Sequence, residues 1–239
     1  MRFGMATIFA AALTLLVFSA SWADLSNYSQ DFEGLDQANP SALAADGWLV
    51  FGNVFSPGGG YLYGYGPDPA PNGGPAFSAI AAGEGGPAQG AQQLVAYNDY
   101  NNGDHANGNL IEANLFQEQV VGAADVGSMW TFQFDAKAGD LEAPTTALAF
   151  IKTLDPNAGF ALTNFITYDT TALPVTWGTY SISLEIDATL VGQIFQIGFS
   201  STTTNYTPSG VLYDNINFAP IPPVSVEADS WSKVKSLYR

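Results

Sequence analysis

Thr179-Tyr-Ser-Ile-Ser-Leu-Glu-Ile-Asp187 is the stretch that decides the fold. Successive side chains of an extended backbone point to opposite faces. Tyr180, Ile182, Leu184 and Ile186 therefore share one face, and Ser181, Ser183, Glu185 and Asp187 the other. Met129-Trp-Thr-Phe-Gln-Phe-Asp-Ala136 alternates in the same way, with Trp130, Phe132 and Phe134 together. Residues 147–152, 159–168, 193–199 and 211–218 are also β-rich, 94–97 is a short apolar run, and 109–121 mixes apolar and polar positions. Turn residues separate these patches. No long segment carries a helical stripe, and no repeat of fixed period is visible. Period-2 alternation between closely spaced turns predicts an all-β, two-sheet antiparallel sandwich.

Composition agrees and excludes several functions. The 239 residues include 22 Asp plus Glu, 6 Lys plus Arg, one His and no Cys, for a formal charge of −16. A chain this acidic repels phosphate backbones and anionic membranes, so nucleic acid is excluded as a partner. Without Cys there are no disulfides, thiolate catalysis, zinc fingers or iron–sulfur ligation. One His rules out multi-His metal sites. Charged residues make up 12% of the chain, roughly half the usual share. The 25 Gly, 14 Pro and 13% aromatic content suit strands and turns better than helices.

Residues 1–23 read as a signal peptide. Arg2 supplies the positive start, Ala6 to Ala20 the apolar run, and Ser21-Trp22-Ala23 the cleavage site before Asp24. The run is too short for a confident membrane span, and no second one follows. The expected location is therefore secreted, extracellular or at the cell surface, with the periplasm as the other open compartment. The domain is expected over 24–218 and a Pro-rich linker with a short tail over 219–239. In that tail Trp231, Val234 and Leu237 or Tyr238 fall on one side of a short helix N-capped by Asp229 or Ser230, beside Lys233, Lys235 and Arg239. It reads either as a sorting or docking element or as a loose end.

Two further segments break the alternation. Residues 56–75 are rich in Gly and Pro and carry Tyr61, Tyr63 and Tyr65. In an extended chain these rings line one face at spacings of roughly 6.6 Å, comparable to a sugar repeat. The polar loop 97–109 gathers Tyr97, Asn98, Asp99, Tyr100, Asn101, Asp104 and His105. Sugars stack their apolar faces on aromatic rings and offer hydroxyls to amides and carboxylates. Tyr61, Tyr63, Tyr65, Tyr97, Asp99, Tyr100, Asn101 and His105 are thus the candidate glycan contacts. The competing role is structural, since Asn, Asp and Gly form turns and Tyr packs readily beside Gly.

The chain opens with Tyr28-Ser-Gln-Asp-Phe-Glu-Gly34, continues through Asp46-Gly-Trp48, contains Trp177-Gly-Thr-Tyr180, and closes on Gly210-Val-Leu-Tyr-Asp-Asn-Ile-Asn-Phe218. This layout resembles the galactose-binding-like jelly rolls of bacterial secreted carbohydrate-binding modules. The resemblance spans roughly residues 28–218, on short motifs. It implies a jelly-roll sandwich whose first and last strands lie together, and non-catalytic binding of an extracellular or cell-surface glycan. It also implies a structural Ca²⁺ held by Glu33 and Asp214, with Asp31 or Asp46 as additions. Carboxylates from both chain ends plus loop carbonyls would supply the roughly six to eight oxygens this ion takes, and its binding would clamp the fold.

Two other functions have partial support in the sequence. A self-assembling structural matrix or surface-layer subunit would use apolar edge strands, with its acidity screened by divalent ions. A glycoside hydrolase would need two carboxylates. Glu185-Ile-Asp187 resembles the start of the acidic strand motif of laminarinase-type β-glucanases, but Ala188, Thr189, Leu190 and Val191 follow and the third carboxylate is missing. No Gly-x-Ser-x-Gly elbow provides a serine nucleophile.

Overall fold

A computed structural model describes residues 24–100 and 102–221. The expected signal peptide, Asn101 and the tail beyond Ile221 lie outside the described residues.

Twelve strands are formed by Tyr28–Gln30 (β1), Leu49–Phe55 (β2), Tyr61–Pro69 (β3), Ser78–Ala82 (β4), Gln92–Ala96 (β5), Leu110–Val120 (β6), Met129–Ala138 (β7), Thr146–Asp155 (β8), Ala161–Asp169 (β9), Gly178–Glu185 (β10), Ile194–Thr203 (β11) and Val211–Pro220 (β12). One four-residue helix, Ala42–Ala45 (α1), precedes β2. The first sheet runs β10-β7-β12-β5-β4, with β1 added to β12, and the second runs β3-β2-β6-β11-β8-β9. All pairings are antiparallel. The result is a jelly-roll β-sandwich.

The alternation sets the register. Tyr180 lies opposite Phe134, Ile182 opposite Phe132, and Leu184 opposite Trp130. Between the sheets Phe132, Phe134, Phe195, Phe199, Tyr213 and Trp48 are buried. Phe199 stacks on Tyr213 with ring centroids 3.6 Å apart, and Phe195 meets Phe218 across the sandwich at 5.3 Å. Each such ring contributes roughly 1.5–3 kcal/mol by leaving water.

The chain ends meet as expected: Tyr28, Ser29 and Gln30 pair with Phe218, Asn217 and Ile216. Three expectations change in detail. The Gly/Pro-rich stretch is not a loop throughout, because β3 forms there. As an edge strand it tolerates Pro67 and Pro69, whose missing N–H groups need no ladder partner. β12 continues through Ala219 and Pro220, opposite Thr131 and Trp130, so the expected linker starts later. Asp187 leaves its strand to cap a short helical turn, its Oδ1 accepting from the Thr189 N–H at 2.7 Å. The Thr189 hydroxyl, and then that backbone contact, hold its carboxyl below the usual range.

Candidate functional site

Side chains on and around the two sheets build three polar or aromatic clusters. The first lies where the chain ends meet. Asp214 on β12 faces Asp135 on β7 in register. A loop between β4 and β5 covers them: Gln89 Nε2 donates to Asp135 Oδ2 at 2.7 Å, and Asn215 Nδ2 donates to the same oxygen at 2.8 Å and to the Ala88 carbonyl at 2.9 Å. Thr179 completes the Asp135 shell at 2.6 Å. Asp214 is fully buried, and its Oδ1 accepts the Asn215 N–H at 2.6 Å. Its Oδ2 and Gln89 Oε1 have no hydrogen-bond partner among the described residues. Burial, followed by the fields of Asp135, Asp31 and Glu33, pushes the Asp214 carboxyl up to about 7.

Glu33 reaches this end across Gly90. Its Oε1 accepts the Ala91 and Gln92 N–H groups at 2.7 Å each. A Cβ on Gly90, whose φ is +57°, would be strained and would push the Glu33 carboxylate aside. Asp31 and Glu33 lie close enough to Asp214 for their charges to act on its carboxyl. Asp46 is engaged elsewhere, accepting the Tyr28 hydroxyl at 2.6 Å and Trp48 Nε1 at 3.2 Å. Among the described residues no three His, Cys, Asp or Glu side chains converge as a ready metal shell. A cation at this end would draw on Asp214 Oδ2, Gln89 Oε1 and backbone carbonyls. Unpartnered buried oxygens in a surplus of negative charge fit a hard divalent ion.

The second cluster joins the tyrosine strand to the polar loop. The Tyr65 hydroxyl donates to Asp99 Oδ2 at 2.8 Å, and the Tyr63 hydroxyl to Asp104 Oδ2. Burial and then Asp99 raise the Tyr65 hydroxyl above its ordinary range. Gly52 makes room for this: a Cβ there would strike the Tyr65 ring. The three tyrosines do not share a face. A bulge sets Tyr63 opposite Val54 but Tyr61 opposite Phe55, so Leu62 is the extra residue and Tyr61 turns to the other side.

The loop residues are tied into the fold by their own contacts. Tyr97 and Tyr100 stack at 5.9 Å. Tyr97 donates to the Gly74 carbonyl at 2.8 Å and its hydroxyl is pushed up to about 12 by burial. Tyr100 bonds to Ser209. Asn98 Nδ2 ties β6 to β11 through the Ile111 and Ser201 carbonyls, at 2.9 and 2.8 Å. The His105 ring meets Tyr206 at 5.1 Å, and its Nε2 lies 3.0 Å from Asn98 Oδ1 and 2.9 Å from the Asp99 carbonyl. With two acceptors around it, Nε2 carries the proton.

The third cluster was not read from the sequence. The outer face of the second sheet is a groove of about 740 Å³. One wall carries Phe51, Phe55 and Tyr61, and the other Phe160, Leu162 and Phe165; the floor holds Asn53, Glu112, Asn114, Glu118, Lys152 and Gln196. Gln196 Nε2 donates to Glu118 Oε2 at 2.9 Å, and Asn53 Nδ2 to Glu112 Oε1 at 3.0 Å. Of the residues picked out as glycan contacts, Tyr61 alone lines it. The available signal was the second face of the alternating strands: Phe51, Asn53 and Phe55, and Glu112, Asn114 and Phe116, each spaced by two.

No protein-family model and no curated protein sequence matches the chain. Among solved structures it is similar to the enzymatically active domain of a bacteriophage CBA120 tailspike protein, with 12% identity over 78% of this chain and 21% of that chain and a TM-score of 0.46. The chain thus spans about a fifth of that tailspike's length. It is similar to the CBM22-1 xylan-binding domain of Paenibacillus barcinonensis Xyn10C, with 11% identity over 85% of this chain and 98% of that chain and a TM-score of 0.42. A Stig cyclase from Fischerella sp. TAU gives 12% identity, coverage of 82% and 99%, and a TM-score of 0.46. Carbohydrate-binding modules with β-sandwich folds recur among these neighbours. At such identities the likeness concerns the fold.

Proposed function

We propose that this protein binds a glycan in the groove on the outer face of the second sheet, without cleaving it. The observation that carries this reading is the groove's division of labour. Aromatic and aliphatic walls stand on both long sides of a floor of amides and carboxylates. Ring faces of sugars suit the walls, and their hydroxyls suit the floor. The volume falls within the usual range for ligand sites.

Glu112 and Glu118 are the carboxylates on the floor. They stand six residues apart on one strand, hence roughly 20 Å, whereas acid–base glycoside cleavage needs carboxyls within about 10 Å of each other. That spacing supports binding over hydrolysis. A structural Ca²⁺ at the chain-end cluster, held by Asp214 with Asp31 and Glu33 nearby, belongs to the same reading, as does export through the leader at 1–23. No helix of the described residues is long and apolar enough to cross a membrane.

The test is a glycan array probed with and without EDTA, with size-exclusion chromatography on the same samples. Retention of one polysaccharide class by a monomeric protein is the expected result. Silence on every glycan, together with large Ca²⁺-dependent assemblies, would overturn it in favour of a matrix subunit.

A further inference from the structure

Lys152 is a buried cation with unusual company. It lies on β8, while Glu112 and Asn114 lie on β6, and β11 runs between the two strands. Lys152 Nζ donates to Asn114 Oδ1 at 2.7 Å and sits 3.6 Å from Glu112 Oε1. Asn114 Nδ2 in turn donates to Glu112 Oε1 at 2.8 Å and to the Phe51 carbonyl at 3.2 Å. An amine, a carboxamide and a carboxyl thus close a triangle. The Phe150 and Phe165 rings cover it, with centroids 4.2 and 4.9 Å from Nζ. Asn114 is 2% exposed, and the Lys152 side chain 12%.

We propose that Lys152 and Asn114 become joined by an intramolecular isopeptide bond, with Glu112 as the proton carrier. An ion pair alone needs only the lysine and the glutamate. Here the amine is seated on the amide instead. From standard bond lengths, the oxygen and nitrogen of one amide are about 2.3 Å apart. The present Nζ–Oδ1 contact therefore holds Nζ beside the amide it would attack, and Nζ has to move from Oδ1 onto the amide carbon.

Burial lowers the Lys152 pKa, opposed by Glu112, and favours passing the ammonium proton to the neighbouring carboxylate. The neutral amine then attacks the Asn114 amide carbon, and the carbonyl electron pair moves onto Oδ1. The amine's proton passes through Glu112 to Nδ2. The carbonyl re-forms as the carbon–Nδ2 bond breaks, and ammonia leaves. Amine plus primary amide gives secondary amide plus ammonia, so no oxidant or cofactor is needed. The product straps β6 to β8 covalently in a chain that has no cysteine.

Intact-mass spectrometry with tryptic mapping of the full chain tests this. Wild type should run about 17 Da below its sequence mass, the mass of one ammonia, and should yield one branched peptide joining Lys152 to Asn114. Lys152→Arg and Asn114→Ala should restore the full mass, as should Glu112→Gln, which keeps the side-chain shape and removes the acid. The unlinked variants should also melt several degrees lower. Wild type at full mass, with Lys152 and Asn114 in separate linear peptides, would overturn the bond and leave an ordinary ion pair. A Glu112→Gln chain that still cross-links would overturn the role given to Glu112.

Discussion

The outer faces of the two sheets are built by the same alternation and end in opposite states. On the first, Asp135 and Asp214 stand beside each other and the loop carrying Ala88 and Gln89 closes over them. On the second, Glu112 is met by Lys152, and the remaining floor lies open between aromatic walls. The difference is one of charge balance under cover. A carboxylate taken from water without a cation is costly, so the covered face carries an unpaid electrostatic debt, whereas the open face is neutralised where it is driest. Such a face suits a metal ion in the first case and a neutral, hydroxyl-rich ligand in the second.

The largest effect that would break this contrast is removal of the proposed cation. A ligand held at a thousand times its dissociation constant stabilises a fold by about 4 kcal/mol. For a domain of this size that corresponds to a melting shift of roughly 8–16 °C. Calorimetry in Ca²⁺ and then in EDTA should show a fall of this order, and Asp214→Ala should lose the response. Equal melting temperatures in both buffers would mean that the covered face balances its charge by protonation alone.

The pH dependence sharpens the same point. Asp214 titrates at about 7 in the folded chain against an ordinary 3.8. Its folded pKa is raised, so between those values the native state holds a proton that the unfolded chain has released. In EDTA, stability from this group should be complete below about pH 4 and be lost as pH rises through 7. The expected loss is on the order of 2 kcal/mol, discounted because Asp31 and Glu33 act through solvent. Denaturant midpoints across that window measure it. A flat profile in EDTA would show that Asp214 is not strained.

The strand pattern was legible in residues such as Tyr180 to Ile186 because a buried face imposes strict parity. The meeting of the chain ends was legible through the segments around Glu33 and Asp214. β3 was hidden because Gly and Pro disqualify most strands, and only its edge position excuses them. The tyrosine faces were misjudged because one bulged residue, Leu62, reverses parity without leaving a mark in the sequence. The groove was missed for a related reason. Phe51, Glu112, Lys152 and Phe165 belong to β2, β6, β8 and β9, and no local pattern records that these strands share one sheet.

The groove also yields the smallest predicted effect and the one that separates ligand contact from structural packing. Phe165 pairs with Lys152 in register and is 44% exposed on the groove wall. Phe165→Ala should therefore cost little stability, within about 1 kcal/mol, yet weaken glycan binding about tenfold, or ~1.4 kcal/mol. Tyr97→Ala should do the reverse. Its hydroxyl is tied to the Gly74 and Ser78 carbonyls and its ring to Tyr100, so the melting temperature should fall while affinity holds. Affinity titrations paired with melting curves on both variants decide the matter. If Tyr97→Ala lost binding and Phe165→Ala did not, the glycan would sit at the polar loop 97–109, whose rings, amides and carboxylates suit it from the sequence, and the outer face of the second sheet would be left without a ligand.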